Sequence, residues 1–388
     1  MREQTFLSAR RHVSPQLPGL ASALDAAPLL SLLLLVWIIS KFLCFPLWLG
    51  DRDFPLVPVH DVLLQLPVYV YALFFWISCF LMAFGILFPN RKMLTAILLL
   101  EVSSCLLDQN RWQPWQYQFI FMLAVYLFFK NKEHKVTALQ IILLNIYFFS
   151  GLSKLQPAFI HDIWNNLVLR NWLGIHTTNV WIFRLGYALP LLEMGAALML
   201  CFERFRKAGC ILLIGMHVFI WLLLGPLGLN RISVICPWNL LMPVMLMNLF
   251  YRRPLQLQKA VLKQPFSWLL ITCFAVLPWL HLIGRWDHYL SFTLYSGGVS
   301  QLYICTDDPM ALQLMAPYIG NQRNGMVPCR FPVSTYQWGV KAMNTAPYPQ
   351  ERVFCSLARQ WKRRHPQAAV RFYIYTSGFQ PTIRELIP

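Results

Sequence analysis

The sequence predicts an all-α polytopic membrane bundle of about nine helices, with one interfacial amphipathic helix and a small C-terminal α+β extracytoplasmic domain. Three observations carry this. Of 388 residues, 57% are hydrophobic and only 13% charged, against roughly 25% charged in a soluble domain. Too little polar surface exists to clothe a water-facing globule. Long apolar runs recur as far as Ile283, and basic residues gather in every second connection between them. Beyond Ile283 the pattern changes to turns and short alternating runs.

The net charge of +17, from 33 Lys+Arg against 16 Asp+Glu, would suit nucleic acid in a soluble chain. In a membrane chain it marks loops that face anionic lipid and fix orientation. Membrane lipid is therefore the expected partner, and nucleic acid is not. Of the ten cysteines, Cys44, Cys79, Cys105, Cys201, Cys210, Cys236 and Cys273 fall in apolar runs, where a thiol packs as a small hydrophobe. Cys305, Cys329 and Cys355 lie in the polar tail and allow at most one disulfide among them. No CxxC, GxGxxG, Walker loop, HExxH or GxSxG occurs, so metalloproteolysis, ATP-driven transport and α/β-hydrolase chemistry have no support.

Residues 1–26, with Arg2, Arg10 and Arg11, read as a cytoplasmic N-terminal segment, 27–283 as the transmembrane domain and 284–388 as the extracytoplasmic domain. Ala27–Leu49 is too long for the apolar core of a cleaved signal and has no A-x-A site after it, so it reads as an anchor. Gln65–Phe88, Met93–Leu107, Tyr117–Phe129, Val136–Leu152, Ile182–Phe202, Ala208–Leu229, Ile232–Phe250 and Phe266–Ile283 follow, judged against about 20 residues for a span. Two are short, and Met93–Leu107 also contains Glu101. Arg91–Lys92, Lys130–Lys135, Arg204–Lys207 and Arg252–Arg253 fill the even connections, which places them and the N-terminus in the cytoplasm. Asp51–Asp53, Asp108–Trp115, Ser153–Arg184 and Asn230–Arg231 then face outward, as does the tail. In the tail, Ser296-Gly297-Gly298, Asp307-Asp308-Pro309 and Asn324-Gly325 are turns, Gln301–Cys305 and Val370–Tyr375 are strands, and Gln350–Arg364 is a helix.

In Phe159–His176 the apolar residues share one helical face, while His161, Asp162, Asn165, Asn166, Arg170 and Asn171 occupy the other. Such a helix lies in the interface, where it caps the bundle or roofs a site. Polar residues at membrane depth are candidate functional groups. Lys154, at the end of the fifth run, either reaches out to head groups or points inward, where desolvation disfavours the ammonium and favours a general base. Gly151, one turn earlier, admits a close helix or a flat ligand. Glu193 is either a hydrogen-bonded structural carboxyl or the partner of a base or ligand. His217 is either a core histidine or a pocket group; no second His stands one turn away, so a helical metal pair is not predicted. Asn110, Arg111 and Trp115, in Asp108–Trp115, form an interfacial belt or a pocket mouth.

Tyr147-Phe148-Phe149-Ser150-Gly151-Leu152-Ser153-Lys154-Leu155, followed by Arg170-Asn171-Trp172-Leu173, resembles the HTTM domain, the transmembrane module of vitamin K-dependent gamma-carboxylases and of many bacterial proteins. The resemblance covers about Leu29–Ile283 and is most specific over Ile141–Met247. It implies that Lys154 stands where the family carries the base that deprotonates hydroquinone, and that Glu193 and His217 match an acid and a histidine in the next two spans. A reduced quinone of the vitamin K hydroquinone type is the implied cofactor, with a hydrophobic quinol or a peptide as substrate. Three features depart from the family: Ser153 replaces the first Lys of its pair, no His occurs between Asp108 and Phe119, and only the short segment 284–388 replaces its large lumenal domain. Carboxylase-like or related oxidative lyase chemistry is one expectation. A non-enzymatic membrane protein acting in export, maturation or immunity of a partner is the other.

Overall fold

A computed structural model describes residues 26–230, 234–257, 259–319, 327–329, 331–377 and 381–388. Arg2, Arg10, Arg11, Arg231 and the Asn324-Gly325 turn lie outside the described residues. All nine apolar runs fall on helices: α1 Ala26–Leu43, α2 Val68–Leu87, α3 Arg91–Leu107, α4 Pro114–Phe128, α5 Lys132–Ser153, α6 Val180–Leu185, α7 Ala188–Met199, α8 Arg206–Leu224, α9 Ile235–Leu246, α10 Lys259–Leu262, α11 Pro265–Ile271 and α12 Leu277–His281. Side chains set several ends. Asn90, Asn131 and Asn179 accept free backbone N–H groups at the starts of α3, α5 and α6. Pro114 and Pro265 open α4 and α11, where a missing N–H costs nothing.

Nine full-length spans are not seen among the described residues. Among the described residues, four helical stretches are long and apolar enough to cross a membrane: Val68–Leu87, Lys132–Ser153, Val180–Met199 and Arg206–Leu224. Pro28–Leu43, Ile235–Tyr251 and Pro265–His281 are apolar but shorter. α4 explains part of the difference. From Pro114 to Leu127 every residue except Phe121 is buried, and a helix enclosed on all sides is core rather than a lipid-facing span.

Charge within this bundle is paired within it. Lys41 of α1 donates to Glu101 of α3 and, at 2.7 Å, to the Ser78 hydroxyl of α2. Its ammonium also stands 4.1 Å from the centre of the Trp48 ring. Gln116 of α4 donates to the second Glu101 oxygen at 2.7 Å and accepts the Trp37 indole N–H at 2.6 Å. One fully buried network thus joins four helices. Removing Lys41 or Glu101 alone strands the buried charge of the other.

The tail folds as the expected α+β unit. Strands β1 Ser300–Cys305, β2 Pro332–Ser334, β3 Arg371–Thr376 and β4 Thr382–Leu386 form an antiparallel sheet in the order β2-β1-β3-β4. Helices α13 Pro309–Met315, α14 Thr335–Met343 and α15 Glu351–Arg364 complete it. α15 buries Val353, Phe354, Leu357 and Trp361 and exposes Arg359, Lys362, Arg363 and Arg364. Cys305 and Cys329 form a disulfide, and Cys355 is free.

Polar contacts dock this unit onto the bundle. The Tyr348 N–H donates to Asn110 Oδ1 at 3.0 Å, Gln113 donates to the Ala346 carbonyl at 2.9 Å, and Arg352 donates to Gln109 Oε1 at 2.8 Å. Arg352 and the Tyr348 hydroxyl also donate to Asp287, just beyond the last bundle helix. Burial alone would raise the Asp287 pKa, yet these two donors hold the carboxyl below its ordinary value.

The pairing of Lys41 with Glu101 yields a direct expectation. Lys41→Met or Glu101→Gln alone lowers stability by about 3–5 kcal/mol, whereas the double variant recovers most of the loss. Thermal unfolding in detergent measures it. A double variant no more stable than either single one contradicts the account.

Candidate functional site

The amphipathic segment is the first departure that bears on the site. It forms a π-helix, Phe159–Trp172, and ends four residues before His176. Gly174, at φ +68°, turns the chain there. Asn165, expected on the polar face, is buried. The expected faces follow the α period of 3.6 residues, and i→i+5 bonding shifts which residues share a face. His161, Arg170 and Asn171 are exposed as expected. Trp164 fixes the segment by donating its indole N–H to the Ile182 carbonyl at 2.8 Å.

Beneath this helix lies a cavity of about 450 Å³, lined almost wholly by apolar side chains from the π-helix, α5, α7, α8 and α9. Phe159, Ile163, Leu167 and Val168 form its roof. Its volume falls in the range of roughly 300–1,000 Å³ typical of small-molecule sites. Among the polar side chains in its wall are Lys154, Glu193 and His217.

Lys154 follows the last residue of α5, with its backbone N–H satisfied by the Gly151 and Leu152 carbonyls. Its Nζ donates to Glu193 Oε2 at 2.7 Å and to Ser150 Oγ at 2.6 Å. The two charged side chains are 13% and 6% exposed, so the amine is turned inward. Gly151 explains how the pair meets. A Cβ there would stand 2.7 Å from the Met194 backbone N and 3.0 Å from the Pro190 carbonyl oxygen. Only a bare backbone lets α5 and α7 touch, and that contact carries Glu193 to Lys154.

His217 belongs to a second polar cluster in the same wall. Asn239 donates its amide N–H to the Ile235 carbonyl at 3.0 Å, which turns its Oδ1 toward His217. His217 Nδ1 lies 2.8 Å from that oxygen and therefore donates to it. Nε2 is then the acceptor for the Tyr147 hydroxyl, also at 2.8 Å. Tyr147 on α5 and Lys154 at its C-cap are seven residues apart, two turns and about 10 Å along one face. The cavity thus presents a carboxylate–ammonium pair and a phenol–imidazole pair on a common wall.

Asn110 and Arg111 do not join this cavity. Asn110 is spent on Asp108 and Tyr348. Arg111 donates to the Trp48 carbonyl at 2.9 Å, to the Leu47 carbonyl at 3.3 Å and to Ser104 at 2.8 Å. Asp108 in turn accepts from Arg52 and from the Val57 N–H. The stretch Asp108–Arg111 is a buried knot, because an arginine taken from water needs several acceptors at once. Trp115 lines a separate cavity of about 210 Å³ between the bundle and the α+β unit. Trp238, Tyr295, Ile163, Ile235 and Leu294 border both cavities. Among the described residues no cluster of His, Cys, Asp and Glu could hold a metal ion.

Sequence reasoning missed Tyr147, Ser150 and Asn239 as wall groups. The signal was present: Tyr147, Ser150 and Lys154 recur at helical spacing on α5, and Asn239 is a lone amide inside an apolar run. Comparison with protein-family models, characterised proteins and solved structures finds no match, so the site stands on its own geometry.

Proposed function

We propose that the chain is a multi-pass membrane protein of the HTTM type that binds a hydrophobic ligand of the quinol class in this cavity, with Lys154 as the base. One observation carries the reading. Lys154, Glu193 and His217, in or just after three separate apolar runs, line a single apolar cavity. A cavity with apolar walls and a few hydrogen-bonding groups suits a flat molecule with a polar head and a greasy body. A reduced quinone would supply an ionisable hydroxyl there, and with oxygen a strong base.

The protein's own share is proton management in a dry site. Lys154 Nζ donates to Glu193 Oε2 across a 2.7 Å hydrogen bond. As a base, the amine would pass a proton to Glu193 Oε2 along this bond and take the ligand's proton at Nζ. Ser150 keeps the amine aimed by accepting from it. Tyr147, held by His217 and Asn239, positions a phenol two turns away.

The topology belongs to the same reading: a cytoplasmic N-terminus and an external α+β unit, supported by the four cationic even connections. Reporter fusions at Lys132 and at the C-terminus report opposite sides; the same side for both contradicts it.

A second reading treats Lys154–Glu193 as a staple in a non-enzymatic protein that acts through the α+β unit. Lys41–Glu101 favours it, since that pair joins helices and lines none of the described cavities. Substitution separates the two. In proteoliposomes the wild type consumes oxygen when supplied with a vitamin K-type hydroquinone. Lys154→Met removes the amine and Lys154→Arg keeps the charge but cannot shed a proton. Both lose activity by at least about 100-fold, the low end of general-base contributions, while remaining folded. An inert wild type, or activity retained by Lys154→Arg, sinks the base assignment.

A further inference from the structure

The cavity has a side opening, and the geometry of two glycines on α8 defines it. Near the start of α8 the helix is clamped against α7. A Cβ on Gly209 would stand 2.7 Å from the Ala196 carbonyl oxygen and 3.0 Å from Met199 Cβ. Further along α8 the surface opens at Gly215. Gly215 is exposed, and a Cβ there would meet no atom within 4 Å, yet Gly215 lines the cavity. Leu192 of α7 and Ile211 and Leu212 of α8 share this double character, being cavity wall and 44%, 59% and 40% exposed. A side chain can be both only at a mouth.

The position of the mouth decides what passes through it. α8 and the stretch containing α7 are both long and apolar enough to cross a membrane. An opening between two such helices faces hydrocarbon rather than water. Leucine, isoleucine and bare glycine backbone rim it, whereas Lys154, Glu193, Tyr147 and His217 stand in the buried or half-buried wall. The gradient runs from an apolar mouth to polar groups at depth.

We propose that the α7–α8 cleft is a lateral door that admits the alkyl or isoprenoid chain of a molecule dissolved in the bilayer. The polar head of such a molecule reaches the Lys154–Glu193 pair, and its chain trails past Leu192, Leu212 and Gly215 into the lipid. This rests on the membrane reading above and on the cavity as a ligand site. It does not depend on Lys154 acting as a base. Gly215 is the residue that keeps the door open, because any large side chain there would project into the gap.

Photolabelling of the full chain in phosphatidylcholine nanodiscs tests the door. The probe is a phosphatidylcholine with a diazirine near the end of one acyl chain. Leu213 and Leu223 are fully buried and line the cavity, whereas Val218 is exposed on the same helix. In the wild type all three acquire label on irradiation. Gly215→Trp lowers labelling of Leu213 and Leu223 several-fold and leaves Val218 unchanged, while Gly215→Ala retains the wild-type pattern. If Gly215→Trp fails to fold, Leu212→Trp closes the same rim. Unlabelled Leu213 and Leu223 in the wild type, or equal labelling in the tryptophan variant, overturns the door. Failure of the functional reading is told apart by oxygen uptake: an inert wild type with labelled Leu213 and Leu223 removes the base and keeps the door.

Discussion

Charges held among apolar helices must find their partners among those helices, and much of this structure follows from that constraint. Water is not at hand to solvate them, so an unpaired ammonium or carboxylate would cost several kcal/mol. Lys41 is met by Glu101, Ser78 and the Trp48 ring. Arg111 is met by the Leu47 and Trp48 carbonyls and by Ser104. Lys154 is met by Glu193 and Ser150. Each cluster ties segments distant in sequence, so the polar groups act as registration points for helices whose apolar surfaces carry little directional information.

The three clusters differ in what surrounds them. Lys41–Glu101 is packed on every side by α1, α2, α3 and α4 and is fully buried. The Asp108–Arg111 knot sits at the end of the bundle, where it also receives the α+β unit through Asn110, Gln109 and Gln113. Lys154–Glu193 alone borders open space. That space lies beneath the π-helix, with Gly151 drawing α7 against α5 on one side and Gly215 of α8 leaving open space on the other. The same chemistry is a staple where packing is complete and a candidate site where packing stops.

Much of this was legible in the sequence. The apolar runs marked the helices, since hydrophobic segments of that length have few other folds. Ser300–Cys305, Arg371–Thr376 and Glu351–Arg364 begin within one residue of the patterns that predict them. Lys154, Glu193 and His217 stood out as polar groups inside apolar runs. Other features could not be read. α4 looks like a short span, and only its neighbours show that it is enclosed. Asn110 and Arg111 carry the composition of a pocket mouth, but their hydrogen-bond partners come from residues up to 238 positions away. Lys41 lies inside the first apolar run, and only the structure shows that Glu101 and Ser78 meet it. Asn165 was assigned by an α period, and the π-helix moved it to the buried side.

The central claim is that the Lys154–Glu193 end of the cavity holds the head of a hydrophobic ligand. A cryo-electron microscopy map of the full chain, purified from membranes into lipid nanodiscs, tests it most directly. The account predicts elongated non-protein density inside the cavity, with its head within hydrogen-bonding distance of Lys154 Nζ and its tail leaving between α7 and α8. A cavity closed by side chains, or a Lys154 amine turned outward to lipid phosphates with Glu193 left to other partners, would contradict it.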